Sequence, residues 1–207
     1  AFDPTGILTR EQAAAIICRM LLGDDAENLT TNSTVFSDVA ADRWSAGYIG
    51  YCAQQNILAG TGNGTFNPEG ELTGLAFAKM LLVAAGYDPA IEGLTGTDWE
   101  ITTNALASKL GIFRNFKGSV AEPLSRDNAA LLIYNALDVE MIQSYTTNNY
   151  PIAYSDHRTI LADKYGVIKV QGVVVANEWA SLASDDGDAA LKEGKTTIYN
   201  GEGIFST

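Results

Sequence analysis

Histidine and cysteine are scarce in this chain. His157 is the only histidine, and Cys18 and Cys52 are the only cysteines, among 207 residues. One histidine removes His-rich metal sites, and with no recognisable nucleophile motif beside it a Ser–His–Asp triad has little to stand on. Two cysteines make neither a disulfide framework nor a zinc site. Both fall within predicted helices among apolar neighbours and read as small buried hydrophobes; a disulfide between them stays open. Basic residues are also few, 13 Lys and Arg against 25 Asp and Glu, a net charge of −12. That balance argues against bare nucleic acid as a partner, since phosphate binding needs clustered cations. No apolar run approaches the roughly 20 residues of a membrane span. No signal peptide is present, and the chain opens in mid-motif at Ala1, so it reads as a mature or truncated piece. No cofactor is called for. Asp185, Asp186 and Asp188 lack the downstream glutamate of a calcium loop and read as a solvated acidic turn.

What is present is 46% hydrophobic and 18% charged, enough to bury real cores. It is also repetitive. Ala1 to Met20 (AFDPTGILTREQAAAIICRM), Phe66 to Gly86 (FNPEGELTGLAFAKMLLVAAG) and Glu122 to Leu137 (EPLSRDNAALLIYNAL) share one plan. Each is a turn-rich lead, then Leu, then Thr or Ser, then an apolar helix-like run. Leu8, Leu72 and Leu124 align, and so do Thr9, Thr73 and Ser125. One supersecondary unit is used three times.

In chain order, Thr9 caps a helix with Gln12 as capping-box partner, and Ala13, Ile16, Ile17, Met20 and Leu21 form one apolar face. Residues 24–35 read as a polar linker. Asp42 is expected to cap a helix carrying Trp44, Tyr48, Ile49 and Cys52 on one face. Gly60 to Phe66 (GTGNGTF) is a turn needing positive φ at several positions. Its third-repeat counterpart is shorter, with Trp99 in place of Trp44 and Gly111-Ile112 in place of Asn56-Ile57. Residues 140–153 read as a linker, Tyr165 to Val175 and Thr196 to Tyr199 as strands, and Ala189 to Leu191 as a short helical turn.

The order Phe36-Ser37-Asp38-Val39, Trp44-Ser45-Ala46, Asn56-Ile57-Leu58-Ala59-Gly60, Gly62-Asn63-Gly64-Thr65-Phe66-Asn67-Pro68 and Leu72-Thr73-Gly74-Leu75-Ala76 resembles the S-layer homology family. The resemblance covers residues 1 to about 138. It divides them into the second half of a first repeat (1–24), a complete second (33–88) and a degenerate third (92–138), with 140–153 the linker and 154–207 a β-rich module unfinished at Thr207. It implies a mainly α fold, a pseudo-threefold bundle of helix-loop-helix repeats, with a small β-rich C-terminal module. The implied task is non-catalytic: anchoring an exported protein outside the cell to an acidic secondary cell-wall polysaccharide, often one with pyruvyl-ketal sugars. The alternative is a self-assembling subunit of a surface lattice or filament, with other copies as partners.

Arg10 and Arg126 each follow the capping hydroxyl. A cation at the first helical position opposes the helix dipole, and a local rule broken without compensation points to function. The N–H groups of the first turn and the guanidinium together form an expected anion site for a sugar carboxylate. The alternative is an ordinary surface arginine paired with Glu11 or Asp127. The family motif L-T-R-A-E, as the resemblance has it, gives this arginine to the ligand. Gly74 fills the slot in repeat two, which puts that groove in doubt. Trp44 and Trp99 either present a face to a sugar ring or pack in the core, and a tryptophan can do both. The expected carbohydrate site is therefore Arg10, Arg126, Trp44 and Trp99.

Overall fold

The computed structural model describes residues 3–31, 35–146, 151–182 and 191–206. It divides into two compact units, Ala1–Gly166 and Val167–Thr207. In the first, the helices are α1 (Arg10–Leu22), α2 (Ala46–Gln54), α3 (Gly74–Ala84), α4 (Trp99–Lys109), α5 (Arg126–Ala136) and α6 (Ile160–Tyr165), with a 3-10 turn at Gly23–Asn28 inside the stretch read as a linker. β1 (Ser144–Tyr145) and β2 (Ala153–Tyr154) pair antiparallel.

The three repeated helices start as their sequences require. Thr9, Thr73 and Ser125 stand in extended backbone, and their hydroxyls accept from the amides of Gln12, Ala76 and Asn128. Thr9 and Gln12 complete a capping box. Each cap contributes about 1 kcal/mol. The leads before these helices meet one another. Leu8 N–H donates to Leu124 O at 2.8 Å, Leu124 N–H to Leu72 O at 2.7 Å, and Leu72 N–H to Leu8 O at 3.0 Å. Three segments far apart in sequence thus close a ring of backbone hydrogen bonds, with all three leucines buried beneath it.

Below the ring α1 packs on α3 and α3 on α5. In each of these helices one of two neighbouring apolar side chains is fully buried: Ile17 beside Ile16, Leu81 beside Met80 and Leu132 beside Ile133. The remaining helices fill the flanks, α2 against α1 and α4 against α3. Asn56 and Gly111 end α2 and α4 alike, both at positive φ, which turns Ile57 and Ile112 into the core. The amides of those isoleucines donate to Cys52 O and Ala107 O, each at 2.9 Å.

Two expectations need correction. Asp42 is not a cap: α2 begins at Ala46 after Ser45, four residues later than the aspartate. Trp44 therefore stands in the preceding turn and is 55% exposed, while Tyr48, Ile49 and Cys52 are buried as expected. The chain also stays with the helical unit past residue 140. Met141 and Ile142 pack against the core, Ile142 N–H donates to Ala85 O, and Ile160 is fully buried. Tyr165 ends α6 with its hydroxyl on Met20 O at 3.0 Å, so it is helical where a strand was expected.

The second unit is a three-stranded antiparallel sheet, β3 (Val173–Asn177), β4 (Thr196–Tyr199) and β5 (Ile204–Ser206), in the order β3-β4-β5. β4 matches its expected span; β3 starts only at Val173, and Gly166 in the left-handed region closes α6 before it. Residues 189 and 190, and the three aspartates of the acidic turn, lie outside the described residues.

Candidate functional site

Two surface grooves are built to one plan. The first, about 200 Å³, is lined by Leu72, Ala76, Lys79 and Met80 on one face of α3 and its lead, by Arg10 from repeat one, and by Trp99 from repeat three. The segment Ile57 to Gly60 forms its other edge. The second, about 140 Å³, is lined by Leu8, Gln12, Ala15, Ile16 and Arg19 from α1 and its lead, by Arg126 from repeat three, and by Trp44 from repeat two. Leu8 corresponds to Leu72, Gln12 to Ala76, Ala15 to Lys79 and Ile16 to Met80. In both, a helix of one repeat is flanked by the arginine of a second and the tryptophan of the next. The structure thus brings Arg10 together with Trp99 and Arg126 with Trp44; it does not join the four into one site.

The expected anion site at the helix starts is filled from within. Arg10 N–H donates to Gly70 O at 2.9 Å and Glu11 N–H to Pro68 O at 3.0 Å; Gln12 N–H is taken by Thr9. At α5 the same three positions are occupied by Gly6 O, Pro4 O and the Ser125 hydroxyl. The lead of each neighbouring repeat takes up the orphan amides that every helix start leaves. What reaches a groove at these places is the guanidinium, without the backbone donors.

Nor is Arg10 an ordinary surface arginine. Its Nε donates to Phe66 O at 2.8 Å and its Nη2 to Ala59 O at 2.7 Å, and the guanidinium lies 4.5 Å from the Phe66 ring centroid. It clamps both ends of the Gly60–Phe66 turn. Burial lowers its pKa and the Asp38 charge opposes this; an arginine stays charged either way. The turn itself has Gly62, Asn63 and Gly64 at positive φ, as its residues require. Its outgoing amides are already used: those of Phe66 and Asn67 donate to the Asp38 carboxylate at 2.7 Å each.

Glu11, the partner that Arg10 would have as a surface arginine, instead turns inward. It is 6% exposed and binds Arg43 through Nε at 2.8 Å and Nη2 at 3.0 Å, and Ser45 Oγ at 2.5 Å. These residues flank Trp44, so the carboxylate fixes the turn that carries it. Burial alone would raise the Glu11 pKa; the hydrogen bonds from Arg43 and Ser45 and the Arg43 charge outweigh it and leave the value lowered. Trp99 is held differently, with Lys79 Nζ 5.2 Å from its ring centroid. Burial lowers the Lys79 pKa. Among the described residues Lys79 has no ion pair. Lys79 was missed in the sequence, although a lone lysine on the otherwise apolar face of Leu72, Ala76 and Met80 is a legible signal. In the second groove Arg19 is neutralised by Glu27 at 2.7 Å and lies against the Tyr48 ring.

Gly74 has a steric reason. A Cβ there would stand 3.0 Å from Val120 O and 3.2 Å from Val120 Cα. The glycine lets the third lead close on α3, with Leu75 N–H donating to Val120 O.

The S-layer homology domain family model matches residues 35–78, from the residue before Phe36 into α3. Residues 35–78 are thus similar to an S-layer homology domain. The matched stretch includes the Trp44 turn, the Gly60–Phe66 turn and the start of the helix that floors the first groove. Over 97% of its length the chain is 25% identical to a "Cell surface protein" of Thermoanaerobacter kivui, of which it covers 24%. It is 24% identical over 87% of its length to a "Middle cell wall protein" of Brevibacillus brevis, covering 16% of that protein. A "Cellulosome-anchoring protein" of Acetivibrio thermocellus is 34% identical over 38% of the chain. The chain spans a quarter or less of the length of these relatives. Among its described residues no helix is long and apolar enough to cross a membrane.

Proposed function

We propose that the helical unit is a non-catalytic anchor of the bacterial cell surface, in which three S-layer homology repeats sit about a pseudo-threefold axis and hold an acidic secondary cell-wall polysaccharide in two grooves. The repeat boundaries are those drawn from the sequence: 1–24, 33–88 and 92–138. The observation that carries this reading is the duplicated groove, a guanidinium and an indole set on either side of a helix, at Arg10 with Trp99 and at Arg126 with Trp44. An indole offers a flat apolar face to a sugar ring, and a guanidinium takes a carboxylate through charge-assisted hydrogen bonds. A pyruvyl-ketal sugar supplies both partners. The ring of hydrogen bonds among the three leads supports the threefold arrangement. The names of the relatives support the place and the task.

The test is retention on purified cell-wall sacculi with and without their secondary polymer, followed by calorimetry with the released polymer. Retention that needs the polymer, and weakens with Arg10→Ala and Arg126→Ala, is expected. A double variant that binds as tightly as wild type overturns the assignment of these arginines. A relative named "Surface layer protein" from Brevibacillus choshinensis favours a second reading, self-assembly; ordered arrays of the pure protein in electron micrographs would establish it.

A further inference from the structure

We propose that Cys18 and Cys52 close a disulfide that fastens α1 to α2. The two side chains are fully buried, and their sulfurs lie 3.5 Å apart in the thiol form, one donating to the other. A disulfide needs about 2.05 Å, an approach of roughly 1.5 Å shared between two side chains on adjacent helices. Little else holds the sulfurs back. Cys18 Sγ is 3.6 Å from Tyr48 O and Cys52 Sγ 3.7 Å from Ala14 O, both weak contacts.

The repeat itself argues that the pairing is particular to this junction. The position of Cys18 in α1 is that of Leu82 in α3, and the position of Cys52 in α2 is that of Ala107 in α4. Leu82 and Ala107 are likewise fully buried at the junction of α3 with α4. Both positions are ordinary apolar residues there. At the junction of α1 with α2 both members are cysteine, and these are the only two in the chain. No cluster of metal-ligating side chains lies among the described residues, so the thiols are not part of a metal site there. The bond would brace the second groove from behind, since α1 supplies its floor and the turn before α2 supplies Trp44.

The chemistry is thiol–disulfide exchange with a low-molecular-weight disulfide. One cysteine thiolate attacks the donor, forms a mixed disulfide and releases one thiol. The second cysteine thiolate then attacks the protein sulfur of that mixed disulfide and releases the other. Two electrons pass from the cysteine sulfurs to the donor, and the two cysteine protons end on the released thiols. The Cys18 contact, and burial after it, push the Cys52 thiol well above its ordinary pKa and suppress its thiolate in the folded chain. Exchange therefore runs during folding, before the helices dock.

The chain is refolded in a buffer of reduced and oxidised glutathione, then unfolded without reductant and treated with a maleimide. The expected product takes up no maleimide, is lighter by two hydrogens, and yields a peptide linking Cys18 to Cys52. Two maleimides per chain, or two attached glutathiones, overturns the proposal. Reduction is expected to lower the melting temperature of the linked protein by roughly 5–15 °C and to leave Cys18→Ala and Cys52→Ala unchanged. A linked protein no more stable than its reduced form overturns the bracing role.

Discussion

The two grooves share a plan and differ in how their parts are held. In the first, the arginine is committed to structure, forked between Ala59 O and Phe66 O, and the lysine beside Trp99 has no acidic partner among the described residues. In the second, a buried carboxylate fixes the tryptophan turn, and the extra cation, Arg19, is cancelled by Glu27. The first groove therefore keeps, at Lys79, a cation with no ion pair among the described residues, inside a chain of net charge −12. Duplicating a site in sequence thus does not duplicate its field, because the field depends on which carboxylates the fold brings near.

The sharpest way to break this comparison is to remove Glu11. Glu11→Ala leaves Arg43 half-buried with only Glu69, and should cost about 2–3 kcal/mol, below the value for a fully buried pair. Chemical denaturation reads this loss. Binding at the second groove should weaken with it while the first is kept, which calorimetry with Arg126→Ala and Arg10→Ala backgrounds separates. Next is Arg10→Ala, expected to cost about 2 kcal/mol of stability through its lost bonds to the Gly60–Phe66 turn, besides about tenfold in affinity. Arg10→Lys keeps the charge but cannot fork between two carbonyls, and should recover affinity more than melting temperature.

Lys79→Gln should weaken the first groove by about threefold to tenfold with no change at the second; equal weakening of both would end the distinction between them. The pH dependence follows from Glu11. Its folded pKa lies below the ordinary 4.5, so the stability it gives is present above that value and is lost as pH falls through the lower, folded one. Melting curves from pH 5 downward should fall more steeply for wild type than for Glu11→Gln, with the two converging at the acid end. Gly74→Arg carries the smallest expected gain. The crowding by the Val120 backbone predicts a less stable protein in which calorimetry finds no third site. Added salt should change affinity little, since attraction across a Debye length of about 8 Å is screened while contact bonds are not.

Much of the bundle was legible in the residues. Capping hydroxyls at Thr9, Thr73 and Ser125 followed by apolar helical runs fix the three helix starts within a residue, because capping is local chemistry. The positive-φ turn at Gly62 to Gly64 is equally local. The Trp44 helix was misplaced because its start has no side-chain cap. Its turn is pinned from another repeat by Glu11, a contact that lies 32 residues away for Arg43. The extent of the helical unit to Gly166 was misjudged for a similar reason: a polar, turn-rich composition at 140–153 says nothing of Ile160 burying itself in a core built before it.

By itself the sequence determined the repeat, its capped helices and its turns, and it offered two arginines and two tryptophans as candidates without pairing them. These follow from periodicity, capping and glycine, all properties of neighbours along the chain. Tertiary structure alone decided which arginine meets which tryptophan, that the helix-start amides are taken by neighbouring leads, and that Glu11 serves Trp44 and leaves Arg10 to the turn. Each of those is a competition for hydrogen bonds and charge among segments 30 to more than 100 residues apart, settled by which groups the closed ring of leads brings within reach.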